Sequence, residues 1–330
     1  MSNETDKLLE VQDLSVGFMD KDGQVVAITD SVHFDIRAGE FFGLAGESGC
    51  GKSVTALSLL GLLPSPGGRL IRGDIHLSHQ SITSLAKDEL YAIRGKEISM
   101  IFQEPAAAFN PLLTVEKQLM EIFQYHAYSG NPEKRIRELL ERVGFPEPRR
   151  ILRSYPHELS GGMLQRVGIV LALILKPKLI IADEPTTALD VTVQAQILEL
   201  LLELQKEEGT AVLFITHNLN LIAQYADRMA VMYAGRIVET ANVDDFFNRP
   251  AHPYSQGLLK ALPNLESHHN ELFPIPGQVP QPKDFVDGCR FKDRCDRAMD
   301  ICTDKPSDYQ IENGHHVGCF LYSEEVIEHE

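Results

Sequence analysis

Short apolar runs alternate with helix-favouring stretches along most of this chain. Apolar runs of strand length lie at residues 41–45, 98–103, 178–182 and 211–216. Stretches typical of helices lie at residues 54–63, 163–175 and 191–206. Buried strands that alternate with helices form mostly parallel sheets covered on both faces. The pattern therefore predicts an α/β fold.

Two regions depart from this alternation. Between residues 104 and 159 the chain is mostly charged and helix-favouring, with an amphipathic piece at 135–143, which predicts an inserted helical subdomain. Beyond Pro250 the pattern gives way to prolines, histidines and cysteines. We therefore predict four segments: a core in two parts (1–103 and 160–249), the helical subdomain (104–159, ending at the motif 159–163) and an irregular C-terminal extension (250–330).

The composition restricts the class of protein. With 330 residues, 43% of them hydrophobic, the chain can bury a large core. Its formal net charge of -16 repels nucleic acid, whose binding normally needs a clustered basic surface. Residues 1–7 lack the build of a secretory signal, and the longest apolar stretch, 167–175, is shorter than the roughly 20 residues that span a bilayer. We expect no nucleic-acid partner, no export, and membrane association only through partner proteins.

A glycine-rich segment follows the first apolar run and has the pattern G-x-x-x-x-G-K-S. It consists of Gly46, Glu47, Ser48, Gly49, Cys50, Gly51, Lys52 and Ser53, with Val54 next in the helix. Its glycines allow backbone N–H groups to converge on a phosphate, and the helix adds its positive end. We expect Lys52 to reach the β- and γ-phosphates and Ser53 to hold Mg²⁺. Cys50 is read as small filler, with an oxidisable thiol as the alternative.

Two adjacent carboxylates, Asp183 and Glu184, follow the apolar run at 178–182. We expect Asp183 to bind Mg²⁺, directly or through water, and Glu184 to polarise an attacking water as general base. A helix N-cap before Pro185 would explain one of these acids, but not both in a chain with a phosphate loop. The pair therefore predicts nucleotide hydrolysis.

Ser160, Gly161 and Gly162 precede the helix predicted at 163–175. A hydroxyl and free amides at a helix start form a second anion site, although such a turn is also a common helix cap. In a chain that already has a phosphate loop, this second site is free to contact the γ-phosphate of a partner's nucleotide. The sequence thus predicts an ATP site that closes when two copies meet.

Together these motifs resemble the ATP-binding-cassette ATPases, and residues 159–163 match their signature sequence, with Met163 where glutamine is usual. The resemblance implies a P-loop core with an antiparallel β edge region. It also implies that Phe18 stacks on adenine and that Gln103 senses Mg²⁺ and contacts the transport subunits. Asp190 would bridge the two halves of the dimer.

His217 ends a buried strand, for which a structural role is the default reading. By the same resemblance it would contact the γ-phosphate and hold Glu184 and the water in line. A non-catalytic regulatory cassette is disfavoured by the intact catalytic set, which also contains Lys52 and Asp183. A soluble nucleic-acid-associated cassette ATPase usually carries a long coiled-coil insertion or two cassettes, and neither lies within these residues.

The chain beyond residue 230 is similar to the dipeptide/oligopeptide permease ATP-binding subunits, through residues 233–239, 250–254 and 258–263. The similarity implies a peripheral ATPase on the cytoplasmic face of the cell membrane. It would bind two transmembrane permease subunits through the helical insertion and import peptides delivered by an extracytoplasmic solute-binding protein. Nickel or another small solute is the alternative cargo. A heterodimer with a second cassette ATPase is expected over a homodimer.

Four cysteines in the extension have the spacing C-x₅-C-x₆-C-x₁₆-C: Cys289, Cys295, Cys302 and Cys319. Four thiolates suit either Zn²⁺ or an iron–sulfur cluster. The resemblance to permease tails favours a [4Fe-4S] cluster over zinc and over unliganded thiols or disulfides. His252, His315 and His316 are alternative ligands, and we expect them to be solvated loop residues.

Overall fold

The computed structural model describes residues 7–186, 189–262, 275–312 and 314–324. The strands are β1 (Lys7–Met19), β2 (Val25–Ala27), β3 (Val32–Arg37), β4 (Phe41–Ala45), β5 (Gly68–Leu77), β6 (Gln80–Ser81), β7 (Ile98–Ile101), β8 (Leu179–Asp183), β9 (Ala211–Ile215), β10 (Arg228–Tyr233), β11 (Arg236–Asn242), β12 (Tyr309–Glu312) and β13 (His315–Val317).

The α-helices are α1 (Lys52–Leu59), α2 (Lys87–Ile93), α3 (Val115–Tyr125), α4 (Pro132–Arg142), α5 (Pro148–Arg153), α6 (Gly161–Leu173), α7 (Val191–Glu208), α8 (Leu219–Tyr225), α9 (Val243–Asn248) and α10 (Pro253–Lys260). Short 3₁₀ helices include Pro105–Ala108 and, in the extension, Lys292–Arg294 and Asp300–Thr303. Among the described residues, no helix has the length and apolar character needed to cross a membrane.

The chain divides into two compact units. The first contains residues 1–9, 36–41 and 77–215, and the second contains residues 10–35, 42–76 and 216–330. In the first unit β7, β8 and β9 pair in parallel, and β8 and β9 are buried along their whole length. The helices α3, α4 and α5 of the predicted insertion contact one another, and α4 also contacts α6.

The second unit contains parallel and antiparallel pairs. β4 pairs in parallel with β10, whereas β10 with β11, β11 with β13, and β12 with β13 are antiparallel. A separate sheet is built around β1, which pairs with β2, β3 and β5 and is antiparallel to β2. The predicted α/β fold with parallel strands and an antiparallel β region is confirmed. The strands β12 and β13 of the extension, which the sequence pattern did not indicate, continue the sheet beyond β11.

Helix α1 ends earlier than the sequence indicated. The predicted helix extended to residue 63, where prolines follow, but α1 ends at Leu59. The N–H of Gly61 donates to Ser58 O at 3.0 Å, and that of Leu62 donates to Leu57 O at 2.8 Å, with Gly61 at φ 60°. This pair of hydrogen bonds closes a helix with a left-handed glycine, so the glycine stops α1 before the prolines do.

The other predicted elements agree with the structure within a few residues. Helix α6 begins at Gly161 and ends at Leu173, two residues before each predicted limit. Helix α7 ends at Glu208, followed by the left-handed Gly209 at φ 68°. Such ends are set by capping groups, which hydrophobic periodicity does not report.

Asp30 joins the core of the second unit to its C-terminal extension. Its carboxylate contacts Arg236 Nη2 at 2.7 Å, Arg290 Nη2 at 3.2 Å and Lys305 Nζ at 3.6 Å. Only 8% of the Arg290 side chain and 12% of the Arg236 side chain are exposed. Burial acts to raise the pKa of Asp30, but the hydrogen bond and charge of Arg236, with the charges of Lys305 and Arg290, bring it below its ordinary value.

We predict that Asp30→Asn lowers the free energy of unfolding by about 2 kcal/mol, because two nearly buried guanidinium groups lose their counter-charge. The stabilisation from Asp30 should be complete above a pH of about 4 and disappear as the pH falls through the lowered pKa of the folded state. Chemical denaturation at pH 7 measures the difference. Asp22→Asn, in the exposed turn after β1, is the control, and equal stabilities for the two variants would contradict the prediction.

Candidate nucleotide-binding site

The phosphate loop joins β4 to α1 within the second unit. β4 is buried along its whole length, so the loop leaves the core from a fixed position. Gly46 has φ 153°, and a Cβ atom there would lie 2.3 Å from the carbonyl oxygen of Met232. Gly51 has φ 110° and is the N-cap of α1. Both glycines are therefore required by the backbone, and they lead the loop N–H groups into a helix start.

Lys52 folds back across this loop. Its Nζ donates to the carbonyl oxygens of Gly46 at 2.8 Å and Glu47 at 3.0 Å, and 5% of the residue is exposed. Ser53 and Val54 follow, half-buried, in the first turn of α1. The loop thus carries an ammonium group and a hydroxyl beside its N–H groups, which is the chemistry that binds nucleotide phosphates and Mg²⁺.

The middle of the loop divides into an exposed and a buried part. Ser48 and Gly49 are exposed, whereas Cys50 is buried and its carbonyl accepts the N–H of Gly235 at 2.8 Å. Burial raises the pKa of the Cys50 thiol above its ordinary value, although the nearby Lys52 charge opposes the shift. A buried, protonated thiol is poorly nucleophilic, which favours the small-filler interpretation over an oxidisable one.

The second unit also holds the aromatic and histidine predicted to contact ATP. Phe18 lies on β1 in register with Val26 of β2 and is half-buried. His217 is exposed and follows Thr216, whose N–H donates to Leu44 O of β4 at 3.3 Å. The histidine is therefore tied through the backbone to the strand that leads into the phosphate loop.

The predicted carboxylate pair ends β8 in the first unit. Asp183 is buried, and the half-buried Glu184 has φ 44°, while its N–H donates to Ile215 O at 2.9 Å. A left-handed conformation at a residue other than glycine is strained and concentrates at functional sites. Gln103, which follows β7, donates from Nε2 to Glu184 Oε2 at 3.3 Å. The structure therefore brings Gln103 to the proposed general base.

The signature segment lies at the start of α6 in the same unit. Ser160 is the N-cap, and its Oγ accepts the N–H of Met163 at 3.3 Å. Ser160 and Gly161 are exposed, Gly162 is half-buried, and a Cβ atom at Gly161 would meet nothing within 4 Å. Asp190 is likewise an exposed N-cap, with Oδ1 accepting the N–H of Val193 at 3.0 Å. Both helix starts are open to solvent.

A cavity in the C-terminal extension is lined by all four of its cysteines: Cys289, Cys295, Cys302 and Cys319. Burial raises the pKa of Cys289, Cys295 and Cys319, the last to about 11, and the charges of the other cysteines act in the same direction. The tertiary structure thus gathers four thiols that are up to 30 positions apart in the chain. Among the described residues, no three His, Cys, Asp or Glu side chains are arranged to hold a single metal ion.

The three histidines of this region have other partners, and two of them are not the solvated residues we expected. His252 is buried, and its Nδ1 accepts the N–H of Tyr254 at 3.0 Å, capping α10. Burial lowers the pKa of His252 to about 4. His315 is also buried, with Nε2 2.9 Å from Glu239 Oε1, whereas His316 is exposed at the ring and lies 3.1 Å from Asp308. The first two are structural because they satisfy buried polar groups.

Two side chains of the extension that hold the phosphate loop were not predicted from the sequence. The hydroxyl of Tyr254 accepts the Glu47 N–H at 3.0 Å, across 207 positions of sequence. Arg294 Nη1 lies 3.2 Å from Glu47 Oε2, across 247 positions. Neither residue belongs to a recognisable motif, and only the fold of the second unit brings them to the loop.

Comparisons with known proteins agree with this geometry. The ABC transporter family model matches residues 29–187, and the model for the oligopeptide/dipeptide transporter C-terminal region matches residues 238–302. The oligopeptide transport ATP-binding protein AppD of Bacillus subtilis is 48% identical, over 97% of this chain and 98% of the relative. The chain belongs to the ABC transporter family.

Further relatives of this ABC transporter protein are also transport ATP-binding proteins. OppD of Escherichia coli, an oligopeptide transport ATP-binding protein, is 45% identical over 98% of this chain and 96% of the relative. The dipeptide transport ATP-binding protein DppD of Bacillus subtilis is 45% identical over 96% of this chain and 95% of the relative. Among solved structures, the dimeric ATP-binding cassette MJ0796 bound to ADP and Pi matches with a TM-score of 0.62 and 28% identity, over 71% of this chain and 98% of that one.

The family resemblance, the ABC ATPase fold and the assignment as an ATP hydrolase are thereby confirmed. The roles of individual site residues in this ABC ATPase remain predictions. The first unit holds Gln103, the carboxylate pair and the signature segment, and the second unit holds Phe18, the phosphate loop and His217.

We predict that Gly46→Ala weakens ATP binding by about 100-fold, because the added methyl group must displace the Met232 carbonyl or reshape the loop. Equilibrium titration with a fluorescent ATP analogue and Mg²⁺ measures this loss. Gly23→Ala is the matched control, since Gly23 also has positive φ, 80°, but a Cβ atom there meets nothing within 4 Å. Binding by Gly46→Ala that matches the control would contradict the prediction.

Proposed function

We propose that this chain is the ATP-hydrolysing subunit of an importer for oligopeptides or dipeptides, bound at the cytoplasmic face of the membrane. The observation that carries the proposal is the near full-length similarity to AppD, OppD and DppD, which includes the C-terminal region beyond the cassette. Nickel or another small solute is a weaker alternative, because these relatives are oligopeptide or dipeptide transport proteins. The net charge of -16 supports a partner set without nucleic acid.

ATP is proposed to bind with its phosphates on the loop formed by residues 46–54 and its adenine on Phe18. Lys52 exchanges its two carbonyl contacts for phosphate oxygens, which places a positive charge where negative charge develops. The oxygen donors Ser53, Gln103 and Asp183 suit Mg²⁺, which prefers oxygen ligands and supplies charge neutralisation at the phosphates. Together these groups are proposed to orient the γ-phosphate.

Glu184 is proposed as the general base. It takes a proton from the attacking water. Gln103 holds the Glu184 carboxylate through the hydrogen bond from its Nε2 to Oε2 at 3.3 Å, and we propose that it also contacts the transport subunits. His217 is proposed to contact the γ-phosphate and keep the water in line. The strained backbone at Glu184 supports this assignment, because such strain is retained where a side chain must point in one direction.

The exposed start of α6 supports a dimeric site. Ser160, Gly161, Gly162 and Met163 offer a hydroxyl and N–H groups to the nucleotide of a second cassette, and Asp190 lies at another exposed helix start. We propose a heterodimer with a second ABC ATPase. Closure around ATP then moves two transmembrane permease subunits docked on the helical insertion, and an extracytoplasmic solute-binding protein delivers the peptide.

The four cysteines of the extension are proposed to hold a [4Fe-4S] cluster. They line one cavity, and in a cluster each thiolate binds a different iron, so the four sulfurs need not meet at one point as they must for Zn²⁺. When bound, the cluster supplies a cross-link that stabilises a segment with few regular elements.

We predict that vesicles containing this chain, its companion ATPase and the permease subunits hydrolyse ATP several-fold faster when peptide-loaded binding protein is added. Glu184→Gln should reduce turnover by at least about 100-fold while ATP still binds, because the base alone is lost. Glu199→Gln, an exposed position on α7, is the control. Stimulation by Ni²⁺ and not by peptide would favour the alternative cargo, and unchanged turnover in Glu184→Gln would refute the assigned base.

We predict that protein purified without oxygen contains about four iron atoms and four acid-labile sulfides per chain, with a broad visible absorbance. Cys295→Ser should lose most of this iron, whereas Cys50→Ser, which alters the cysteine outside the extension, should retain it. Metal analysis of both variants provides the measurement. A colourless protein with one zinc per chain would establish the alternative.

A further inference from the structure

The phosphate loop is held from outside by two side chains of the C-terminal extension. Arg294 Nη1 forms an ion pair with Glu47 Oε2 at 3.2 Å, and Tyr254 Oη accepts the Glu47 N–H at 3.0 Å. Glu47 also provides one of the two carbonyl oxygens that hold Lys52. One residue of the loop is therefore fixed at its N–H, its carbonyl and its carboxylate.

Arg294 is itself rigidly placed. Its Nε donates to Pro276 O at 2.7 Å and its Nη2 to Ile275 O at 3.4 Å, while Nη1 also lies 3.4 Å from the Tyr233 hydroxyl. Only 7% of its side chain is exposed. A guanidinium group with all three nitrogens engaged loses little further freedom when it contacts Glu47.

The ion pair has an electrostatic role as well as a geometric one. A carboxylate inside a phosphate loop repels the phosphates that the loop must bind, and the repulsion is strong where water is partly excluded. Arg294 supplies the compensating charge at 3.2 Å, and no other ion pair of Glu47 occurs among the described residues. Loss of Arg294 would leave a negative charge beside the nucleotide and release the loop.

We propose that Arg294 is a positioning residue for nucleotide binding, acting through Glu47, so that the C-terminal extension sets the ATP affinity of the phosphate loop. The inference rests on the proposed role of this loop as the ATP site. Arg294 ends the short helix Lys292–Arg294, directly before Cys295 of the cysteine cavity. Phe291, at the start of that helix, lines the cavity and packs 5.4 Å from the Tyr254 ring. The segment 291–295 therefore both lines the cysteine cavity and holds the phosphate loop through Arg294.

The test compares the dissociation constants of the full chain for a fluorescent ATP analogue in Mg²⁺. Arg294→Gln should bind about tenfold more weakly than the natural protein. Adding Glu47→Gln to it should recover at least about threefold of that loss, because the uncompensated charge is removed. Lys292→Gln removes a positive charge from the same short helix and should bind normally.

Recovery by the second substitution separates positioning from general damage to the fold, since a merely structural loss would not be repaired at Glu47. If Arg294→Gln does not fold, Arg294→Lys, which keeps the charge but not the planar fork, takes its place with an expected loss of about threefold. An affinity of the Arg294 variant within twofold of the natural protein, or no recovery when Glu47→Gln is added to Arg294→Gln, would overturn the proposal. Failure of the natural protein to bind the analogue would instead refute the loop as the ATP site.

Discussion

The phosphate loop must keep one backbone conformation, and much of the packing around it in the second unit serves that requirement. The N–H groups that a loop offers to phosphates cannot also hold its own backbone in shape, so that shape must be imposed by its surroundings. Gly46 lies against the Met232 carbonyl, Cys50 accepts a hydrogen bond from Gly235, and β4 anchors the loop at its start. Parallel pairing of β4 with β10 brings Met232 and Gly235 to this position.

The C-terminal extension is part of this support and not an appendage. Its strand β13 pairs with β11, and Glu239 of β11 accepts the N–H groups of Ala251 and His252, both at 2.8 Å, next to α10. That arrangement fixes Tyr254, which reaches the loop. On the other side Asp30 holds the segment containing Arg290, and Arg294 follows on the same segment. The C-terminal extension therefore adds contacts to the phosphate loop, which is the proposed ATP site.

The first unit holds the side chains proposed for hydrolysis, and their placement is equally local. The end of β8 delivers Asp183 and Glu184, and the end of β7 delivers Gln103, because parallel strands present their carboxyl ends at one edge. The hydrogen bond between Gln103 and Glu184 follows from that topology. The conformation of the signature segment depends only on the capped start of α6, which neighbouring residues form. Its proposed ligand is the nucleotide of a second cassette.

Local signals in the amino-acid sequence were sufficient to predict several elements. The phosphate loop, the strand with its two carboxylates, the capped α6 and the α/β class all follow from short patterns of residue type, because glycine, charge and periodicity act within a few positions. Tertiary structure decided what depends on distant partners. The burial of His252 and His315, the strands β12 and β13, and the contacts of Tyr254 and Arg294 with Glu47 join residues far apart in the chain. No local pattern specifies such contacts, since they arise only when separate segments share one core.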